Sequence, residues 1–268
     1  RSTLFPYTTL FRSVKFVTLI LSKMGWIRGG KGHNIDGATL TYKSGDAYLT
    51  QIAGRSNQQA CLLADDGRCY TLALHGLPSA RGNGEPLTSR LSIDASAHII
   101  AAAIIDDDRR YLVAADNGYG FITRGRDLTS KTKTGKTLIN PGEGRAITLQ
   151  ALPEGDVDIL AITNEGRIAL IDAAEIPELG KGKGSQTIAI AKKTYDQNGV
   201  RLSHICAYAR GRDITLYSGK QKMTIRASER DNYHTPRGHK GNHLPKGYRH
   251  VDRIEVPAED SVAPENPA

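Results

Sequence analysis

The sequence predicts an all-β protein made of five repeated hairpin units, arranged like the blades of a propeller. Each unit has a short apolar run, a polar turn that ends in glycine and a second apolar run. Glycine at that turn position supplies the positive φ that a tight hairpin needs. The turn glycines lie 42, 51, 48 and 45 residues apart, and a period of this length is typical of blade repeats. Helical patterning is almost absent.

The five units follow one another along the chain. A hairpin alone is marginally stable in water, so neighbouring units must bury their faces against each other. The one helix-like stretch, residues 173–179, is interrupted by Pro177. The paired apolar runs are residues 16–21 and 26–27, 61–64 and 69–74, 111–115 and 119–122, 158–162 and 168–171, and 205–209 and 214–217, with turns at Gly25, Gly67, Gly118, Gly166 and Gly211.

Composition excludes several classes of protein. With 39% apolar and 24% charged residues in a chain of 268, a sizeable core is possible and wholesale disorder is excluded. The longest apolar stretch, residues 99–105, is far short of the roughly 18 needed to cross a bilayer. Three cysteines without a Cys-x-x-Cys spacing exclude a disulfide framework and an all-cysteine zinc site. We therefore expect an intracellular globular protein.

Charge and composition divide the chain into three segments. Residues 1–13 contain Thr-Leu-Phe twice, lack strand or helix periodicity, and look like the translation of a sequencing adapter; we predict that they are not native. Residues 14–251 form the five-unit domain. Residues 252–268 hold five acids and one base and form an acidic, proline-containing tail that we expect to be disordered at its end. The whole chain has a net charge of +8, so residues 14–251 carry about +10. A basic domain with an acidic tail favours a nucleic-acid partner over solubility alone.

Glycine-rich basic loops recur between the hairpins. Because equivalent loops of a closed array emerge on the same rim, their cations are expected to share one edge. Glycine permits close backbone approach to a partner, and lysine or arginine beside it would neutralise phosphates. The loops are residues 28–32, 81–84, 124–136, 180–184 and 237–241.

The loops and the residues that frame them carry a family resemblance. The most specific stretch is residues 77–87, Leu-Pro-Ser-Ala-Arg-Gly-Asn-Gly-Glu-Pro-Leu. Residues 31–36, 44–46, 117–121, 135–139, 180–184 and 251–255 add to it. Over residues 14–256 the chain resembles the C-terminal β-pinwheel domain of bacterial type IIA topoisomerase A subunits, which implies a five-bladed β-pinwheel.

Within that family, the chain resembles the topoisomerase IV branch more than the gyrase branch. Gyrase carries a seven-residue box, Gln-Arg-Arg-Gly-Gly-Lys-Gly, associated with DNA wrapping. Here residues 26–32 read Trp-Ile-Arg-Gly-Gly-Lys-Gly, which keeps five of the seven positions and loses the leading Gln-Arg. Five units also fit topoisomerase IV better than the six typical of gyrase. A gyrase DNA-wrapping domain is the alternative.

The resemblance implies a non-catalytic fragment of an ATP-dependent DNA topoisomerase. The family's active-site tyrosine lies upstream, and ATP and Mg²⁺ belong to the B subunit, so we expect this chain to hold no catalytic residue, cofactor or metal. The implied partners are duplex DNA and, through the upstream region, the second A subunit of an A2B2 assembly together with its B subunits. The implied role is to bind and bend DNA for strand passage, decatenation and supercoil relaxation. The implied location is the bacterial cytoplasm, at the nucleoid, and by family analogy also the periphery of the inner membrane.

Ten cations on the basic loops are the predicted DNA contacts. They combine a positive charge with a position in or beside a glycine-rich loop. They are Arg28, Lys31, Arg81, Arg124, Arg126, Lys131, Lys133, Lys136, Lys181 and Lys183.

Three other motifs favour structural or solvent-exposed roles. Residues 130–137 are one residue from a P-loop, but no helix is predicted after them. His234, His239, His243 and His250 lack a cysteine or carboxylate cluster that would complete a metal site; as phosphate contacts they would tighten DNA binding on mild acidification. The aspartates of residues 65–66 and 106–108 lie at predicted turns.

Two other classes remain as alternatives. A propeller scaffold that binds protein would show an exposed apolar face and salt-insensitive binding. A cofactor-binding propeller enzyme would need convergent polar groups on a central channel.

Overall fold

The computed structural model describes residues 13–256 and contains mostly short antiparallel strands. The segment predicted to be non-native, residues 1–13, therefore lies outside the described residues except for Ser13. Residues 257–268 of the acidic tail lie outside them as well. No helix in the described part of the chain is long and apolar enough to span a membrane.

Nineteen strands and one α-helix are present between residues 13 and 256. In chain order the strands are β1 (Phe16–Ser22), β2 (Trp26–Lys31), β3 (Tyr48–Arg55), β4 (Gln59–Ala64), β5 (Arg68–Ala73), β6 (Glu85–Pro86), β7 (Ile99–Ile104), β8 (Arg110–Ala115), β9 (Tyr119–Arg124), β10 (Lys136–Thr137), β11 (Ala146–Ala151), β12 (Val157–Thr163), β13 (Arg167–Asp172), β14 (Ser185–Gln186), β15 (Leu202–Ala209), β16 (Ile214–Ser218), β17 (Gln221–Ile225), β18 (Asn242–His243) and β19 (Arg253–Glu255). The α-helix is α1 (Lys192–Asn198). Short 3₁₀ helices span Gly37–Thr39, Leu87–Ser89, Gly125–Leu128, Ala173–Glu175 and Ala227–Asn232.

The strands form five antiparallel sheets, which we call blades 1 to 5. Their strand orders are β3-β1-β2-β6, β10-β5-β4-β7, β11-β8-β9-β14, β15-β12-β13-β18 and β17-β16-β19. Blades 1 to 4 share one plan: a hairpin, a third strand on its first strand, and a two-residue fourth strand on its second strand. The fourth strand comes from the chain beyond the hairpin of the next blade. The all-β, five-bladed prediction is confirmed.

Four of the five predicted hairpins are present, with turns at Gly25, Gly67, Gly118 and Gly166. The fifth prediction, which paired residues 205–209 with 214–217, is wrong. Residues 205–209 lie in β15, which completes blade 4 by pairing with β12. The hairpin of blade 5 is β16–β17, with its turn at Gly219, and Gly211 belongs to the connection between two blades.

The core consists of four apolar clusters, each between two successive blades. Alternate residues of one strand face opposite neighbours, as in a strand buried on both faces. In β12, for example, Ile159 packs toward blade 3 and Leu160 toward blade 5. This explains why the hairpin strands are continuous apolar runs.

The third strands of successive blades contact each other: β3 with β7, β7 with β11, and β11 with β15. In blades 1 to 4 the fourth strand lies at the opposite end of the sheet from the third strand. The fourth strands β6, β10, β14 and β18 therefore mark the outer edge of the array. The last blade extends beyond Val251, because β19 at residues 253–255 pairs with β16.

Candidate nucleic-acid interface

Four basic loops occupy equivalent positions at the outer edge. Each one directly precedes a fourth strand and lies against the second strand of the blade that this fourth strand completes. We call them the edge loops: residues 81–84 before β6, 131–135 before β10, 180–184 before β14 and 237–241 before β18. The repeat thus brings one edge loop to each of blades 1 to 4.

Each edge loop ends in a glycine that touches a strand carbonyl. Gly84 has a φ of +81°, and a Cβ there would lie 2.1 Å from the carbonyl oxygen of Ile27. Gly184 has a φ of +78°, and its Cβ would lie 2.4 Å from the oxygen of Gly120. Gly135 and Gly241 have the same positive φ and the same kind of close approach. Only glycine combines this conformation with this contact.

The chain before the edge loop is also bound to the same strand. The Gly29 N–H donates to the Pro78 carbonyl at 2.7 Å, and the Ala80 N–H donates to the Gly29 carbonyl at 3.1 Å. Blades 3 and 4 repeat this parallel bridge at Ile122 and at Leu170. In blades 1, 3 and 4 the edge loop is therefore held at both ends, and its cations lie between two fixed points.

Most of the predicted contact residues have exposed side chains. Five of them lie in the edge loops: Arg81, Lys131, Lys133, Lys181 and Lys183. Arg81 and Lys31 line one groove of about 980 Å³. Those that are exposed are Lys31, Arg81, Arg126, Lys131, Lys133, Lys181 and Lys183. The Nζ of Lys183 lies 4.1 Å from the ring centroid of Tyr119, and Lys136 is half-buried as the first residue of β10.

Arg28 is buried and has an internal role. It is 4% exposed, its Nη1 donates to the Gly82 carbonyl at 3.1 Å, and its guanidinium lies 4.4 Å from the ring centroid of Tyr42. Its guanidinium is therefore not presented at the surface as a phosphate contact would be. Residues 28–31, predicted as part of a loop, continue strand β2, because Gly29 and Gly30 leave room for the side chains of Leu77 and Ile35.

Arg124 is paired with a carboxylate. Its Nε lies 2.6 Å from Oε1 of Glu178, and its Nη1 donates to the Asp108 carbonyl at 3.0 Å. The Glu178 carboxylate raises the pKa of Arg124. Arg124 is the last residue of β9 and Arg126 lies in the 3₁₀ helix that follows it, so neither residue belongs to an edge loop.

Two exposed cations of the fourth edge loop, Arg237 and Lys240, were not among the predicted contacts. Two strand arginines below edge loops, Arg68 and Arg167, were also not predicted. Residues 237–241 end in Gly241, as residues 131–135 end in Gly135. This shared pattern is the signal that identifies Arg237 and Lys240. The strand arginines carry no such signal because they lie far from the loops in sequence.

The remaining motifs occupy loops and turns. Residues 130–135 lie between a 3₁₀ helix and β10, which holds residues 136–137, and the next element is strand β11 rather than the α-helix that a P-loop requires. Asp65 pairs with Arg145 at 3.1 Å. His239, His243 and His250 are exposed, and His234 is half-buried. Between residues 13 and 256, no three His, Cys, Asp or Glu side chains gather as metal ligands.

Comparisons with known proteins identify close relatives. The A subunit of DNA topoisomerase 4 from Pseudomonas aeruginosa is 39% identical over 91% of this chain and 33% of the relative. The Escherichia coli protein of the same name is 35% identical over 90% of this chain and 32% of the relative. The chain therefore spans about a third of the length of these relatives. No protein-family model matches it.

Solved structures show the same fold. The Escherichia coli ParC C-terminal domain superposes with a TM-score of 0.82 and 33% identity, over 91% of this chain and 99% of that domain. The DNA gyrase A C-terminal domain, at a TM-score of 0.64 and 11% identity over 92% of this chain and 84% of that one, shares the fold alone. The resemblance to topoisomerase IV is confirmed: the chain belongs to the family of C-terminal domains of topoisomerase IV A subunits.

Proposed function

We propose that this chain binds duplex DNA along its outer edge. The observation that carries the proposal is the recurrence of one cationic, glycine-ended loop at the same edge of blades 1 to 4. Membership of the topoisomerase IV A-subunit family supports it. The contacts are to phosphates, because the edge loops offer cations rather than a helix or strand that could enter a groove.

The arrangement of edge loops on successive blades also implies that the bound DNA is bent. A duplex that touches edge loops on several blades must follow the curvature of the array. Bending a site of 20–30 base pairs by 40–90° costs on the order of 1–6 kcal/mol, and each additional edge loop adds phosphate contacts that offset this cost. Binding is therefore independent of base sequence and strongly dependent on salt.

In the longer parent protein, this domain would capture a DNA segment and guide it to the gate. The parent would be an ATP-dependent type IIA topoisomerase that decatenates daughter chromosomes and relaxes supercoils. Its cleavage tyrosine would lie upstream of this chain. ATP and Mg²⁺ would be held mainly by the B subunits of an A2B2 assembly located at the bacterial nucleoid, with peripheral contact to the inner membrane.

A charge-reversal experiment tests DNA binding. Lys131→Glu/Lys133→Glu changes two exposed lysines of one edge loop and leaves half-buried Lys136 intact. Lys192→Glu/Lys193→Glu makes the same charge change on exposed residues of α1, outside the edge loops. Fluorescence anisotropy with a labelled duplex, at several salt concentrations, measures the affinity of each variant.

The edge-loop variant is expected to lose about tenfold or more in affinity and to show a weaker salt dependence, since two phosphate contacts are lost. The α1 variant is expected to lose much less. Equal losses in both variants would show that only net charge matters. Salt-insensitive binding by the wild type would instead favour the protein-interaction scaffold.

A further inference from the structure

Each edge loop rests on a side chain of the second strand beneath it. In blade 2, Arg68 of β5 donates from Nε and Nη2 to the Thr134 carbonyl at 3.1 and 2.8 Å, and from Nη2 to the Gly135 carbonyl at 3.2 Å. Arg28 holds Gly82 in blade 1, as described above. In blade 4, Arg167 Nη1 donates to the Gly241 carbonyl at 3.4 Å.

Blade 3 achieves the same support with the partners exchanged. Tyr119 occupies the strand position that directly follows the hairpin glycine, as Arg68 and Arg167 do in their blades. The loop's own Lys183 lies over the Tyr119 ring. A contact between the strand and the loop that uses a cation from one of the two thus recurs below all four edge loops.

A guanidinium is suited to holding backbone carbonyls. It carries five N–H donors in a rigid fork, remains charged at any pH the protein meets, and has no acceptor of its own. The carbonyls it binds belong to glycine-containing loops, whose backbone loses much entropy on ordering. A loop that is ordered before the ligand arrives loses less freedom on binding.

The same contacts favour an anionic ligand. A carbonyl oxygen turned toward a strand arginine is turned away from an approaching phosphate. Because a trans peptide places its C=O and N–H on opposite sides, the Asn83 N–H faces away from Arg28. Arg28 is itself buried between the loop and the Tyr42 ring, so its effect on a ligand acts through the loop.

We propose that Arg28, Arg68 and Arg167 are positioning residues of the DNA interface. Each fixes the backbone of one edge loop so that the loop cations meet phosphates, and none of the three touches DNA. This inference rests on the proposed function and adds residues that lie outside the loops.

The test compares Arg68→Gln with Lys131→Gln in the full 268-residue chain, using one labelled duplex over a range of salt concentrations. Arg68→Gln is expected to lower affinity about three- to tenfold at every salt concentration, as a disordered loop must be ordered on binding. The slope of log K against log salt should stay unchanged. Lys131→Gln should reduce that slope by about 0.9, the value for one phosphate contact on duplex DNA. Arg68→Lys should behave like Arg68→Gln, because an ammonium cannot reproduce the fork.

Amide hydrogen exchange supplies a second readout: Arg68→Gln should speed exchange in residues 131–135 and leave the hairpin strands unchanged. If Arg68→Gln lowers the overall Tm, Arg167→Gln, which breaks a single long hydrogen bond, gives the same comparison in blade 4. An unchanged affinity or a reduced slope in these variants would overturn the positioning role. Failure of the wild type to bind the duplex would instead overturn the proposed function.

Discussion

At the scale of single residues, the recurring glycines and arginines allow each edge loop to lie directly against a strand. An edge loop must lie close enough to a strand to pair with it, and a side chain at the contact would prevent this. Gly84 makes the contact with positive φ, whereas Gly82, two residues earlier, has no atom within 4 Å of a Cβ built on it. Two glycines of one loop therefore have different roles.

This difference predicts the effect of adding a methyl group. Gly84→Ala places a Cβ against the Ile27 carbonyl oxygen in a disfavoured backbone conformation, which we expect to lower the free energy of unfolding by about 1–3 kcal/mol. Gly82→Ala should change it by less than about 0.5 kcal/mol. Urea unfolding of both variants measures the difference. Equal stabilities would contradict the role assigned to Gly84.

A second residue-scale feature is a buried carboxylate that joins blades 4 and 5. The side chain of Asp158, in β12, is 0% exposed. It accepts from Nε of Arg210 at 3.1 Å and from Nη2 of Arg230 at 2.8 Å. Arg230 lies in the 3₁₀ helix that follows β17, so this ion pair spans the boundary between the two blades.

Removing that carboxylate should be costly. Asp158→Asn removes the buried partner of Arg230 and one of the two partners of Arg210, which keeps Asp172 at 2.6 Å. Breaking a buried pair costs about 3–5 kcal/mol, and we expect about 3 kcal/mol here. Asp231→Asn removes another carboxylate near Arg230, one whose side chain is 94% exposed, and should cost less than about 1 kcal/mol. Chemical denaturation of the two variants provides the comparison, and similar stabilities would refute the structural role of Asp158.

At the scale of elements, the sequence predicts hairpins well and the other strands poorly. The turn glycines and apolar runs of four hairpins are local signals. The fourth strands are only two residues long and pair with strands at least 50 residues away, so residues such as Glu85–Pro86 carry no strand signal in the sequence. The fifth hairpin was misassigned because β15 and β16 are also apolar runs around a glycine, although they belong to different blades.

The candidate site follows the same rule. Glycine and lysine in residues 131–135 and 180–184 could be predicted because their pattern is local. The burial of Arg28 could not be predicted, since it depends on Tyr42 and on Gly82, 54 residues away. Helix α1 was missed because it is only seven residues long and has one buried residue, Tyr195, on its inner face.

The last blade gives a prediction at this scale. In a chain that ends at Val251, β16 loses its partner β19 and only the β16–β17 hairpin remains, which is marginally stable. Amide exchange in Ile214–Ser218 should therefore be much faster than in a chain that ends at Val256, which keeps β19. Equal exchange in the two chains would show that β19 contributes nothing to blade 5.

At the scale of the whole molecule, the fourth strands join each blade to the next. Because every fourth strand comes from the following segment of chain, blades 1 to 4 cannot form their outer edges independently. Each edge loop leads directly into a fourth strand, so the position of every edge loop depends on the whole array. A single duplex would meet them one after another along a curved path.

This geometry predicts how affinity depends on the length of the DNA. A duplex of about 10 base pairs, one helical turn, is expected to reach the cations of one or two edge loops and to show a shallow salt dependence. A duplex several turns long should reach all four, with a steeper slope of log K against log salt, because each phosphate contact adds about 0.9. Once the duplex spans the four loops, further length should leave the slope unchanged. Anisotropy titrations at several salt concentrations, with duplexes of increasing length, measure this slope. A slope independent of length from the shortest duplex onward would show that the edge loops do not bind one continuous DNA segment.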